Sequence, residues 1–182
     1  MVRPVELIPL VCLKCDAPIP AAPDEVAWVC ARCGQGLLLN EAEARGLSPL
    51  TVQDVTGRDP SRKGKPYWVA EGSVQLQRTI YAALSDKTGE ARQLWSQPRR
   101  FFIPASEVPL QTLADLGPRL VLNPPALQPG PALPFEPVTV LPQDLPALAE
   151  FIVLAIEAGR SDMLKQVQIQ VRLTEPVLWV LP

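Results

Sequence analysis

The sequence contains no histidine, and this absence removes the most common acid-base group and nitrogen metal ligand of proteins. Glycine is also scarce, with 10 residues in 182, whereas proline is abundant, with 22. High proline with little glycine predicts rigid, ordered chain and short strands rather than flexible linkers. The apolar share of 47% is sufficient for a folded core.

Long apolar runs are missing as well. The strongest, FIVLAI at 151–156, is flanked by Glu150 and Glu157 and falls far below the roughly 20 residues that a membrane span needs. The N-terminal apolar stretch is interrupted by Glu6 and Pro9, and no small-residue cleavage site follows it. We therefore expect neither a signal peptide nor a membrane span, and a cytoplasmic protein with reduced cysteines.

All four cysteines lie close together near the N-terminus, as two C-x2-C pairs separated by fourteen residues: Cys12, Cys15, Cys30 and Cys33. A tetrahedral ion with Zn–S bonds of about 2.3 Å needs four sulfurs that converge on one point. A tight turn within each pair aims two thiolates at the ion, and the intervening chain is long enough for a hairpin that opposes the two turns. The spacing therefore predicts one metal site.

The segment 5–40 resembles the zinc-ribbon family, with two CxxC turns, glycine after the second turn, and Trp28 shortly before the third cysteine. The resemblance implies flanking strands around Val26, Trp28 and 37–39, and one structural Zn²⁺ held by the four cysteines. Four thiolates leave no open position for water or substrate, so such a site is closed to catalysis. The family's functions are too diverse to name an activity.

Three other interpretations of the cysteines are a disulfide framework, a redox motif and an iron site. Disulfides are disfavoured by the absence of a secretory signal. A redox CxxC motif is typically single and precedes a helix, which neither pair does. Iron held by four thiolates is chemically compatible with the same spacing, so the sequence leaves zinc or iron undecided.

The rest of the chain predicts an α+β fold, in which a small zinc ribbon at 1–42 precedes an antiparallel-sheet domain with two helices at 43–182. A proline-rich extended segment is predicted at 118–142. Alternating apolar residues predict strands at 50–55 and 165–175, and a long hairpin at 67–104 with a turn at 85–90 and a bulge at Gly72. The apolar run at 176–182 predicts a final buried strand.

The two predicted helices have start and stop signals. The first, 106–117, is expected to be capped by Ser106, to bury Leu110, Leu113 and Leu116, and to end at Gly117–Pro118. The second, 144–158, is expected to be capped by Asp144, to end before Gly159, and to bury one face of apolar residues: Leu148, Ile152 and Ile156.

The segment 57–102 is the one basic and aromatic part of the chain. Residues 57–100 carry nine basic and four acidic side chains, and six of the ten aromatic residues lie at 57–102. Basic strands with exposed rings bind single-stranded nucleic acid through phosphate pairing and base stacking. The alternative is that the rings are core residues and the cations a solvated face, which the pI near 5.2 favours.

These observations predict a non-enzymatic zinc-binding protein that acts as a protein–protein interaction or assembly module with an unidentified protein partner. The sequence contains no histidine, no cysteine outside the predicted metal site and no recognisable catalytic motif, so it gives no indication of an enzyme. The alternative is a nucleic-acid-binding accessory factor that uses 57–102, and the two hypotheses differ on whether the rings of that segment are buried.

Overall fold

The computed structural model describes residues 9–81 and 87–182. It has two antiparallel-rich sheets and three α-helices, which confirms the α+β class, although two helices were predicted. The elements are β1 (Ala27–Val29), β2 (Gly36–Leu39), β3 (Leu47–Leu50), β4 (Val52–Val55), β5 (Lys65–Ile80), α1 (Thr88–Leu94), β6 (Arg99–Pro104), α2 (Leu110–Leu122), β7 (Pro129–Gly130), α3 (Leu145–Ala158), β8 (Leu164–Leu173) and β9 (Val177–Leu181).

The N-terminal sheet has the order β1-β2-β3, and all of its pairings are antiparallel. Strands were predicted around Trp28 and at 37–39, and both are present. The sheet continues into β3, beyond the ribbon boundary predicted at residue 42, and that boundary stays a prediction. The Val26 N–H donates to the Val138 carbonyl over 2.8 Å, so the first strand is tied to the rest of the chain.

The second sheet is built around β5, in the order β6-β5-β9-β4-β7, with β8 also paired to β5. Gly72 of β5 pairs with Arg99 of β6 and with Leu173 of β8, which places these two strands on opposite edges of β5. Tyr67 likewise pairs with both β6 and β9. Strands β8 and β9 therefore follow one another along one edge of β5, and both lie where the sequence predicted strands.

The predicted 67–104 hairpin is correct where 67–72 pairs with 99–104 and wrong over 91–98. Helix α1 occupies Thr88–Leu94 instead, because Ala91 and Trp95, four positions apart, share one buried helical side. The turn was predicted at 85–90. Residues 85 and 86 lie outside the described residues, and 88–90 belong to the first turn of α1.

Gly72 is not a bulge, since its pairing is regular on both edges, and the register shifts at Thr79/Ile80 instead. A Cβ at Gly72 would lie 2.7 Å from Cε2 of Phe101 and 2.8 Å from Cδ2 of Leu173. The position requires glycine because neighbouring side chains fill its space.

Helix α2 begins later and ends later than predicted. It spans Leu110–Leu122 with Pro118 inside it, so Gly117–Pro118 does not stop it, no side chain caps it, and Leu110 is 62% exposed. A Cβ at Gly117 would lie 2.5 Å from Cγ1 of Ile152 in α3, so this glycine permits close packing of the two helices. The prediction of extended chain is accordingly wrong over 118–122.

Helix α3 spans Leu145–Ala158, close to the predicted 144–158. Asp144 occupies the N-cap position but its side chain makes no capping hydrogen bond, contrary to expectation. The predicted face is buried at Ile152 and Ile156 and half-buried at Leu148, and it packs on the main sheet. Among the described helices, none combines the length and the apolar character needed to cross a membrane.

The main core lies between the sheet and helices α2 and α3. Its largest fully buried side chains include Trp68, Phe101, Ile103, Leu145 and Ile152, and Val26 and Ala27 belong to the same cluster. A second cluster surrounds the cysteines, and a third lies on the other sheet face at Tyr67, Val69 and Phe102. The N-terminal sheet thus shares its core with the remainder of the chain.

We expect Gly117→Ala to be destabilising relative to Gly89→Ala. Both glycines lie in helices, where alanine gains about 1 kcal/mol of intrinsic propensity. A Cβ meets nothing within 4 Å at Gly89 but contacts Ile152 at Gly117, where overpacking costs about 1–3 kcal/mol. Urea unfolding should show this difference between the variants. Equal unfolding free energies would contradict the close packing of α2 on α3.

Candidate metal centre

The sulfur atoms of the four cysteines converge on one point. All four lie within 4.8 Å of one another, and the Cys12–Cys33 and Cys15–Cys30 sulfur distances are both 3.6 Å. A tetrahedron of sulfurs around an ion at about 2.3 Å has edges of about 3.8 Å. Disulfide sulfurs are about 2.05 Å apart, and all four cysteines are free. The structure therefore fits one metal ion rather than disulfides.

The two CxxC turns have the same backbone hydrogen bonds. In the first turn, the Cys12 N–H donates to the Ala17 carbonyl, and the Asp16 N–H donates to the Cys12 carbonyl. In the second turn, Cys30 makes the same two bonds with Gln35 and Gly34. The repeated pattern follows from the identical spacing, and it presents two sulfurs from each turn to one centre.

The residue after each pair adopts a left-handed backbone, with φ of 54° at Asp16 and 71° at Gly34. Glycine adopts this conformation without steric cost, and aspartate is one of the side chains that tolerate it. The sequence indicated the turn at Gly34 but not its counterpart at Asp16. Asp16 follows Cys15 as Gly34 follows Cys33, and this equivalent position could have indicated the turn.

A small apolar cluster supports the centre. Cys12 and Cys30 are buried, Cys15 and Cys33 are half-buried, and four apolar side chains complete the cluster: Ile19, Trp28, Leu37 and Leu47. The Trp28 indole N–H donates to the Glu25 carboxylate over 3.0 Å, which satisfies the polar atom of the buried ring.

The crowded sulfurs shift their own acidities in opposite directions. For Cys15, a hydrogen bond with the Ala17 backbone lowers the pKa. Burial and the three neighbouring cysteines together have the larger, opposite effect and raise the pKa to about 12. For Cys12, burial raises the pKa, but hydrogen bonds from Lys14 and Cys15 backbone groups and from neighbouring thiols lower it to about 6. Four thiolates can be held together only by a cation, which the donor set fits.

We expect Cys30→Ser to weaken metal binding and Ala31→Ser, in the same turn, to leave it unchanged. Four-thiolate sites supply about 10–16 kcal/mol, so loss of one ligand should weaken affinity about 100-fold or more. Elemental analysis after dialysis against a chelator measures the retained metal. Equal metal content in both variants would show that Cys30 is not a ligand.

The rings of the basic segment are core residues. Five of the six are buried: Tyr67, Trp68, Trp95, Phe101 and Phe102. Of the six, Tyr81 is exposed, and the Lys165 ammonium lies 5.8 Å from its ring centre. The structure therefore agrees with the favoured interpretation that the rings are core residues, and these five rings do not form a stacking surface.

Two arginines of the basic segment are also buried, in ion pairs. The Arg58 Nε lies 2.9 Å from Oδ1 of Asp54, and its Nη2 donates to the Pro134 carbonyl over 2.8 Å. Asp54 also accepts a hydrogen bond from the Leu133 N–H over 3.0 Å. Asp54 and Arg58 thus both bond to the backbone at 133–134 and connect it to β4. Because the Arg58 side chain is buried in this pair, it is not accessible to a phosphate group.

Arg78 belongs to a buried cluster of charges that joins β5, α3 and the chain before α1. Its guanidinium donates two hydrogen bonds to the Asp162 carboxylate, over 2.7 and 2.8 Å, and Nε lies 3.3 Å from Glu157. Glu157 also accepts from the Trp95 indole and the Arg160 guanidinium, each over 2.9 Å. Sequence reasoning missed this cluster, since its members are up to 84 positions apart.

We expect Asp162→Asn to lower the unfolding free energy by about 3–5 kcal/mol, because Arg78 would remain buried without its bidentate partner. Asp115→Asn, on the exposed side of α2, should change it by less than about 0.5 kcal/mol. Chemical denaturation measures both. A small effect of both substitutions would contradict a structural role for the cluster.

The same pair also predicts a pH dependence. Hydrogen bonds from Arg78 lower the Asp162 pKa in the folded protein, although burial opposes them. The stabilisation is thus present above the unfolded carboxyl value of about 3.9 and is lost as the pH falls through the lower folded value.

Comparisons with protein-family models, with curated proteins and with solved structures find no match to this chain.

Proposed function

We propose that the chain binds one structural Zn²⁺ at Cys12, Cys15, Cys30 and Cys33 and acts as a non-enzymatic protein–protein assembly module. The observation that carries the proposal is the four-sulfur geometry, with both opposed sulfur pairs at 3.6 Å. Four sulfurs fill a tetrahedral shell, so no position is left for a substrate or an activated water.

Zinc is proposed over iron because the ion's role would be to fold a small module, without electron transfer. Within the described residues, the cluster around the cysteines contains four buried apolar side chains besides the sulfur ligands, which is a small core. Metal binding adds about 10–16 kcal/mol to such a fold. Zn²⁺ has no redox chemistry, and reduced thiolates are consistent with a cytoplasmic location.

The non-enzymatic assignment rests on the chemistry of the described side chains. Among these residues, the four cysteines are the one grouping of three or more histidine, cysteine or carboxylate groups placed to hold an ion. The buried carboxylates of Asp54, Glu157 and Asp162 are each paired with arginine. These groups have structural partners in place of the open contacts that acid-base catalysis requires.

No observation favours nucleic-acid binding as a second proposed function. Five rings of the basic segment are buried, and Arg58 and Arg78 are enclosed in ion pairs. The cations at Arg62, Lys63 and Lys65 lie in or next to a loop and are exposed, as is common for soluble surfaces.

The test is purification of the tagged chain from its native cells, with and without nuclease treatment. We expect about one zinc per chain and a protein partner in constant ratio that nuclease leaves bound. A monomer without a partner would contradict the assembly role. Loss of the partner on nuclease treatment would favour the nucleic-acid alternative, and iron in place of zinc would correct the metal.

A further inference from the structure

Strand β5 extends beyond its partner on one edge. Residues 67–72 pair with β6, whose first residue is Arg99, whereas β5 continues to Ile80. On its other edge, residues 72–80 pair with β8 throughout. The edge that faced β6 is therefore without a strand over 73–80 within the described chain.

The hydrogen bonds on each side of β5 show which backbone groups face that edge. The Ala105 N–H donates to the Pro66 carbonyl, so the even-numbered residues of β5 bond towards β6. The Thr174 N–H donates to the Glu71 carbonyl, so odd-numbered residues bond towards β8. Because these directions alternate along an antiparallel strand, the N–H and C=O groups of Val74 and Leu76 point to the open edge.

These groups have no partner within the described residues. Neither Val74 nor Leu76 makes a backbone hydrogen bond across that edge or a bond to a side chain. Pro98, which precedes β6, has no N–H to donate, and the chain before it turns away into α1. An edge with four unbonded polar groups is a template for another strand.

A groove of about 570 Å³ reaches this edge and is lined by residues of β5, α1 and β8. Its apolar lining consists of Val74, Leu76, Ala91 and Trp95, and the remaining uncharged lining carries amide and hydroxyl groups. Val74 and Leu76 thus carry both the open backbone groups and apolar side chains, and an extended peptide can be recognised by such a combination.

The charge of the groove selects the peptide. Its lining contains two arginines and no carboxylate. The Arg78 guanidinium is neutralised by Asp162 and Glu157, whereas Arg92 is exposed and forms no ion pair in the described chain. The free charge beside the edge is therefore positive.

We propose that the β5 edge at Val74 and Leu76 binds an extended segment of a partner protein in which carboxylates alternate with apolar side chains. The segment adds a strand through backbone hydrogen bonds, its apolar side chains contact Val74 and Leu76, and a carboxylate pairs with Arg92. This inference rests on the proposed assembly function and names its surface and its partner's chemistry.

Amide hydrogen exchange with a synthetic peptide tests the proposal on the zinc-loaded full chain. The probe is a short blocked peptide that alternates valine and glutamate, and its control alternates valine and lysine. The glutamate peptide should slow exchange of the Val74 and Leu76 amides about tenfold or more at saturation. The Gln75 and Gln77 amides, already bonded to β8, should change little.

Two variants separate the charge from the backbone contribution. Arg92→Glu should weaken the glutamate peptide at least fivefold, whereas Arg119→Glu, exposed on α2, should leave its affinity unchanged. Leu76→Pro removes one edge donor without removing a bond to β8 and should abolish binding. Circular dichroism checks that this variant folds, and Arg92→Glu remains a test if it does not.

Several outcomes would overturn the proposal. Unchanged exchange of both amides, or equal protection by the lysine peptide, would exclude an acidic strand at this edge. Protection that rises with protein concentration alone would assign the edge to a second copy, and protection by single-stranded DNA would assign it to nucleic acid. A native partner that binds Arg92→Glu and a folded Leu76→Pro normally would exclude this edge, while the assembly function would stand.

Discussion

The backbone hydrogen bonding of β5 is the constraint on which the main sheet depends. A strand of sixteen residues must satisfy polar groups on two edges, and the described residues supply strand partners for both edges only in its first half. In the second half β8 covers one edge, while a helix stands beside the other. A helix cannot complete a strand ladder because its own backbone groups are already bonded. The buried charges around Arg78 and the groove beside α1 both follow from this arrangement.

The four cysteines impose a second constraint, which acts through the first sheet. Two turns with the same hydrogen bonds hold the sulfurs at tetrahedral separations, and the strands before and after the second turn carry Trp28 and Leu37 into the surrounding cluster. Val26 and Ala27 belong to the main core, and the Val26 N–H donates to the Val138 carbonyl. A metal ion at the four sulfurs would therefore also support the packing of this segment on the main core.

Sequence reasoning succeeded where the determining interactions are local. The cysteine spacing, the apolar face of α3 and the alternation of β8 are short-range patterns, and the structure has all three. It failed where a tertiary contact outweighed a local preference. Pro118 lies inside α2 because Gly117 packs against Ile152, and residues 91–94 are helical because Ala91 and Trp95 are buried together. Neither contact is visible without the position of the neighbouring element.

Charge counted along the sequence also differs from charge at the surface. Arg58 and Arg78 contribute to the basic segment, yet both are enclosed with carboxylates that lie outside it, at Asp54, Glu157 and Asp162. Asp162 is 84 positions from Arg78, so no local window could have paired them. Once these pairs are formed, Arg92 remains beside the open part of β5 without a counter-charge in the described chain. The basic segment therefore contributes less surface charge than its sequence indicates, and one of its remaining exposed cations, Arg92, lies beside the open part of β5.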